Sequence, residues 1–182
     1  MSDESRELGG RAAIITGSAR NIGRAIALAL AAGGADIVIN ARTSKEEAER
    51  TARDVDALGA RAVVHMGDVT RPEIADGLVD AAASAFGRLD FLVNNVSERG
   101  EIPFEDLTLE RFHTVLASTL DSAFLCTQAA LPYLKRSDMA AVVNIGGVAS
   151  HAGFPERAHV AAAKAGLCGM TGSLAPELAP HG

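Results

Sequence analysis

Tryptophan is absent, tyrosine occurs once, at Tyr133, and cysteine twice, at Cys126 and Cys168. Two cysteines without metal-type spacing make neither a disulfide framework nor a zinc site, so they are expected as buried thiols of a reducing compartment, and no metal centre is expected. No apolar run approaches the ~20 residues that a spanning helix needs. The start from Met1 to Arg11 is polar and lacks the apolar core of a signal peptide, which predicts a cytoplasmic protein with no membrane partner. Positive charge is also short, with 17 Lys and Arg against 23 Asp and Glu and a net charge of −6. Nucleic-acid binding needs clustered cations that displace counterions, so no nucleic-acid partner is expected.

What the chain has in quantity is apolar residues, 48% of 182, enough for one domain over 1–182 with a sizeable core. Short apolar runs alternate with longer segments of helical period, the pattern of successive βα units in an α/β fold with a doubly wound parallel sheet. Strands are expected at Ala12 to Thr16, Asp36 to Asn40, Ala62 to Met66, Phe91 to Asn94 and Ala141 to Ile145. Helices are expected at Ile22 to Ala32, Lys45 to Leu58, Arg71 to Phe86, Leu109 to Lys135 and Ala158 to Leu178. Pro176 is a local conflict, since a proline inside a helix removes one backbone bond.

The first expected strand runs into Thr16-Gly17-Ser18-Ala19-Arg20-Asn21-Ile22-Gly23. A helix opening near Ile22 presents unpaired backbone N–H groups and the positive dipole end to an anion, as a Rossmann-type turn does to a pyrophosphate. Gly17 suits a tight turn, and Gly23 lets the helix approach the sheet closely. Asn21 stands where a third glycine would be usual; asparagine tolerates left-handed backbone better than most residues. The second strand ends at Asn40-Ala41-Arg42 without the acid that usually holds an NAD ribose. Arg20 and Arg42 are instead suited to a 2′-phosphate, so NADP(H) is favoured over NAD(H).

The turn resembles the T-G-x-x-x-G-x-G motif of the short-chain dehydrogenase/reductase superfamily, and further segments are similar to the family in the same order. They are Gly67-Asp68-Val69, Leu92-Val93-Asn94-Asn95-Val96-Ser97, the run from Leu120 to Pro132, and Lys164-Ala165-Gly166-Leu167. The resemblance, nearest to 3-oxoacyl-[acyl-carrier-protein] reductase-like members, implies a Rossmann-type sheet of order 3-2-1-4-5. It implies Gly17, Ser18, Arg20, Asn21, Ile22, Gly23, Arg42, Asp68, Val69, Asn94, Asn95 and Lys164 as cofactor-binding positions, with Asp68 on the adenine amino group and Lys164 on the nicotinamide ribose. It also implies hydride transfer between the cofactor and a small carbonyl or alcohol substrate.

Family chemistry further uses a tyrosine one helical turn before the lysine, a serine after the fifth strand and an asparagine on the long helix. Those positions hold Val160, Gly147 and Thr119. Lys164 remains as a candidate catalytic residue, together with His159 and His151 as stand-in proton carriers. His159 is rotated by ~100° from Val160 on a helix, which counts against a simple exchange. Ser97 and Ser150 are nearby hydroxyls, and Glu98, Arg99 and Arg157 flank the pocket mouth by family analogy.

The stretch from Leu174 to Gly182 resembles the family segment just before its sixth strand. The sixth and seventh strands and the substrate loop are therefore expected to be missing, leaving the fifth strand as an edge and favouring a homo-oligomer through the two long helices. Two functions fit these residues: an NADP-dependent oxidoreductase in which a histidine replaces tyrosine, or a catalytically silent nucleotide-binding or partner subunit. A truncation product without function is a third possibility, and no substrate can be named.

Overall fold

The computed structural model describes residues 6–181; the first residues of the polar start and Gly182 lie outside them. Four βα units build a five-stranded parallel sheet: β1 (Ala12–Ile15), α1 (Asn21–Ala32), β2 (Asp36–Ala41), α2 (Lys45–Ala57), β3 (Ala62–Met66), α3 (Pro72–Phe86) and β4 (Phe91–Asn94). After β4 come α4 (Leu109–Leu116), a π turn over Ala117–Asp121, α5 (Ser122–Leu134), β5 (Ala141–Asn144) and α6 (Ala158–Leu178). The strand order is β3-β2-β1-β4-β5, as expected from the sequence, and every pairing is parallel.

Alternation along the strands splits the core into two layers, because successive side chains point to opposite faces. Ile15, Ile37 and Ile39 pack with Ala27, Ala31, Ala48 and Val55 from α1 and α2 on one face. Ile14, Val38 and Leu92 pack with Leu78, Val79, Cys126 and Ala130 from α3 and α5 on the other. The alanines of α1 bring that helix close to the sheet. Cys126 is buried as expected, and burial pushes its thiol up to about 12. Cys168 is only half-buried, contrary to the expectation, because it falls on a flank of α6 away from both layers.

Where element ends differ from those expected they do so by a single residue, and one helix is interrupted. Thr16 and Ile145 lie just past the last ladder residues of β1 and β5, although the Thr16 and Ile145 N–H groups still donate to Val93 O (3.0 Å) and Asn94 O (2.9 Å). The long helix from Leu109 is interrupted by the π turn. Its serines take up local carbonyls: Ser118 Oγ donates to Val115 O at 3.1 Å and Ser122 Oγ to Ser118 O at 2.7 Å, a competition that loosens a regular ladder. The conflict at Pro176 is absorbed, since α6 continues through it to Leu178.

The amino ends of the central strands are tied by Asp90, whose side chain is fully buried just before β4. Its carboxylate accepts from the Ala12 N–H (2.9 Å), from Arg88 Nε (2.7 Å) and Nη2 (2.6 Å), and from Ser137 Oγ. Burial raises the Asp90 pKa, but these donors outweigh it and hold the carboxyl below its ordinary value. Removing one partner of a buried ion pair strands the other. Asp90→Ala is therefore expected to destabilise the fold by about 3 kcal/mol, the low end of the range because Arg88 reaches solvent. A urea titration measures this, and an unchanged midpoint would refute the role given to Asp90.

Candidate functional site

The carboxyl ends of β1, β2, β3 and β4 converge on the turn between β1 and α1, held by side-chain amides. Asn40, buried at the end of β2, accepts from the Gly17 N–H at 3.1 Å and donates from Nδ2 to His65 O and Gly67 O, both at 3.2 Å. Asn95 donates from Nδ2 to Thr16 O at 2.9 Å and Gly17 O at 3.1 Å. The Ser18 hydroxyl donates to Ile15 O at 2.7 Å and accepts from the Asn40 N–H at 3.1 Å. Ser18 is thus a brace within the turn, its side chain fully buried.

The glycine positions are demanded by space and backbone. Gly17 has φ +62°, the left-handed region that glycine adopts without strain. A Cβ at Gly23 would collide with the Gly17 carbonyl oxygen and stand 2.7 Å from Asn95 Nδ2. Asn21 takes φ +51°, the left-handed backbone its residue type tolerates. Arg20 occupies the N-cap of α1 without a capping side chain, and the N–H groups of Asn21, Ile22 and Gly23 have no acceptor among the described residues. This backbone, with Ile22 half-exposed beside it, is a cradle for an anion.

Beyond the turn, Arg42 lies 3.6 Å from Asp68 Oδ2 and 3.8 Å from Glu98 Oε1, and Arg20 lies 3.6 Å from Glu47 Oε2. Burial raises the Asp68 pKa, but the Thr70 N–H and hydroxyl and then Arg42 overcome it and hold the carboxyl low. Val69 turns into the core at 2% exposure, so its side chain is not at the surface of this cleft.

On the far side of β4 the floor is a chain of hydrogen bonds. Asn94 Nδ2 donates to Thr127 Oγ1 at 3.1 Å and Asn144 Oδ1 at 2.8 Å, and Asn144 Nδ2 donates to Thr171 Oγ1 at 2.9 Å. Thr127, Asn144 and Thr171 line a cavity of about 290 Å³, and a second cavity, of about 330 Å³, is lined by Ser97, Arg99, Gly146, Gly147, Val160 and Lys164, among others. Lys164 is 7% exposed and its ammonium donates to Ile145 O. Burial lowers its pKa, and the charge of Arg99 lowers it further. Val160, one turn before Lys164, packs with Val115 and Ala163. A Cβ at Gly147 would meet nothing within 4 Å. Thr119, in the π turn, is buried and within 3.1 Å of Ser97 Oγ.

Neither candidate histidine lines this cavity. His151 is exposed on the loop after β5. His159 is fully buried, both ring nitrogens lack a partner, and burial followed by the charge of Arg111 lowers its pKa. The rotation of about 100° between neighbouring helix positions sends it away from the point that Val160 faces. The sequence singled out neither Asn40 as the hub of the turn nor Glu98 as a bridge between Arg42 and Arg111 (2.5 Å). The signal for Asn40 in the sequence is its place at the end of β2, where an amide stands instead of an acid.

The short chain dehydrogenase family model matches residues 11–182. A 3-oxoacyl-[acyl-carrier-protein] reductase of Synechocystis sp. (strain ATCC 27184 / PCC 6803 / Kazusa) is 35% identical over 170 residues, covering 93% of this chain and 69% of the relative. The solved structure of acetoin dehydrogenase from Enterobacter cloacae superposes with a TM-score of 0.89 at 35% identity, covering 94% of this chain and 69% of that one. A structure from Sinorhizobium meliloti 1021 gives 0.91 at 37% identity, covering 97% and 70%. The chain belongs to the short-chain dehydrogenase family of oxidoreductases, and spans about 70% of the length of these relatives.

His159 makes one consequence measurable. Its folded pKa is depressed, so the folded state resists a proton that the unfolded chain accepts near pH 6.5. Stability from this group is complete above that value and falls as the pH drops below it. The unfolding temperature is expected to decline between about pH 7.5 and 5.5, with a shallower decline in His159→Leu; parallel declines in the two proteins would refute it.

Proposed function

We propose that the protein binds NADP(H) along the turn from Thr16 to Gly23 and does not transfer hydride by the proton-coupled route of its family. The observation that carries this reading is the cavity wall beside Lys164, which presents Val160 and Gly147 where a proton donor and a hydroxyl are needed. The cradle fits the cofactor: its N–H groups lack acceptors, and no Cβ can enter at Gly23. Gly17, Asn21, Ile22 and Gly23 would hold the pyrophosphate through their backbone, Asp68 the adenine amino group, and Lys164 the nicotinamide ribose. Asn94 and Asn95 would support it from below, with Ser18 and Val69 contributing shape rather than side-chain contacts. The chemistry the bound cofactor would supply in the family's reaction is the donation or acceptance of a hydride.

Arg20 and Arg42 favour NADP(H) over NAD(H). Their present ion pairs are long and solvent-exposed, worth about 0–1 kcal/mol each, whereas a guanidinium on a phosphate gains charge-assisted, bidentate contact. Arg42 can therefore exchange its acids for a 2′-phosphate. A second reading, reduction of a small carbonyl compound, is favoured by the cavity opening beside Lys164 and by the activity in the relatives' names. It requires His151 to swing from the surface. Exposed Leu109 and Phe124 on α4 and α5 support self-association through those helices.

Calorimetry is expected to show NADPH binding, weakened about tenfold in Arg42→Ala while NADH binding is unchanged. Absence of NADPH binding would overturn the first reading. With NADPH and a panel of ketones and acetoacetyl esters, no loss of nicotinamide absorbance is expected. Turnover that disappears in His151→Ala would establish the second reading instead.

A further inference from the structure

Of the three cations that line the cavity beside Lys164, two, Lys164 itself and Arg99, have no carboxylate partner among the described residues. Lys164 is almost wholly buried, and its ammonium donates to a neutral carbonyl, that of Ile145. Among the described residues no carboxylate lies within 4.0 Å of Lys164 or of Arg99. Arg157, a third cation on the same wall, pairs with Glu101 and lies 6.0 Å from the Phe154 ring centroid. No acid lines the cavity. In a chain of net charge −6 this is a local inversion of sign. The field of Arg99 at Lys164 is repulsive, and an anion between them would relieve it.

The rest of the wall sets the character of that anion. Val148, Ala149, Phe154 and Val160 are apolar, and Ser97 adds a hydroxyl. The volume, about 330 Å³, sits at the small end of ligand sites. A phosphate, polar on every side, would leave the apolar half without a partner, whereas a planar carboxylate matches the guanidinium fork and can carry an alkyl body. We propose that this cavity is a binding site for a small monocarboxylate, with Arg99 and Lys164 on the carboxylate and Val148, Phe154 and Val160 around a short apolar tail. The site needs no proton donor, which suits a cavity that holds Val160 and Gly147 where the family's hydroxyls stand. It shares Lys164 with the nicotinamide ribose contact given above, so it is tested on the nucleotide-free chain, where that ammonium is not engaged by a cofactor.

The experiment is calorimetric titration with butyrate, with butyramide, which has the same shape without the charge, and with inorganic phosphate. Butyrate is expected to bind at least about tenfold more tightly than either of the others. Arg99→Gln, an exposed position that leaves the fold intact, is expected to weaken butyrate by about tenfold. Val160→Asp, which sets a like charge on the apolar wall, is expected to abolish binding, with the circular dichroism spectrum confirming that the variant is folded. Equal binding of butyramide would mean an apolar slot, and equal binding of phosphate a site that reads charge alone; either overturns the proposal. Unchanged affinity in Arg99→Gln overturns it as well, because the carboxylate would then sit elsewhere.

Discussion

The buried amide of Asn40 holds together the part of the molecule on which everything else rests. Its oxygen fixes the Gly17 N–H, and its nitrogen spans the carbonyls of His65 and Gly67, so one side chain registers the ends of β1, β2 and β3. Asn95 performs the matching task from β4. Backbone groups past the end of a ladder would be left without partners in a buried place, and a lost partner costs about 1–3 kcal/mol each. Amide side chains suit this task because each is both donor and acceptor. The N–H groups at the start of α1 are then left over, pointing out of the turn and available to a ligand.

A second chain of amides and hydroxyls runs from Thr127 through Asn94 and Asn144 to Thr171, joining α5, β4, β5 and α6. Thr127, Asn144 and Thr171 line a cavity separate from the one beside Lys164. The Lys164 bond to Ile145 O adds a tether from the same helix. The π turn over Ala117–Asp121 brings Thr119 toward Ser97, so the segment where the family carries an asparagine still reaches this region, with a hydroxyl in place of an amide. The amide network is not closed, since the buried Asn94 Oδ1 has no hydrogen-bond partner among the described residues.

Strand positions, helix faces and the sheet order were legible in the sequence because each rests on a local pattern: alternating apolar runs, an Ala-rich helix, and a glycine turn of recognisable spacing. Asn21 was legible for the same reason, since its tolerance of positive φ is a property of the residue itself. What a pattern of residue types does not carry is where a side chain points once the chain has folded. Ser18 and Val69 sit in motif positions, yet one braces the turn and the other fills the core. Arg42 reads as a phosphate ligand, but its acidic neighbours Asp68 and Glu98 come from two other βα units and meet it only in three dimensions. Cys168 read as buried because thiols usually are, and the sequence could not show that its side of α6 faces neither core layer.

The two missing groups differ physically, and the difference bears on how the cavity came to its present character. At Gly147 the space is open and the backbone is extended, at φ 175°, so a serine there would meet no obstacle and its absence is a purely chemical loss. At Val160 the side chain is built into the contact between α4 and α6, with Val115 and Ala163 around it. A large hydroxyl-bearing ring would have to leave that cluster or project across the cavity toward Lys164, and burying apolar surface is the stronger tendency for a β-branched residue on this face. In this chain the position serves packing. With Val160 and Gly147 at these two positions, the charged groups that line the cavity are the buried ammonium of Lys164 and the guanidinium groups of Arg99 and Arg157.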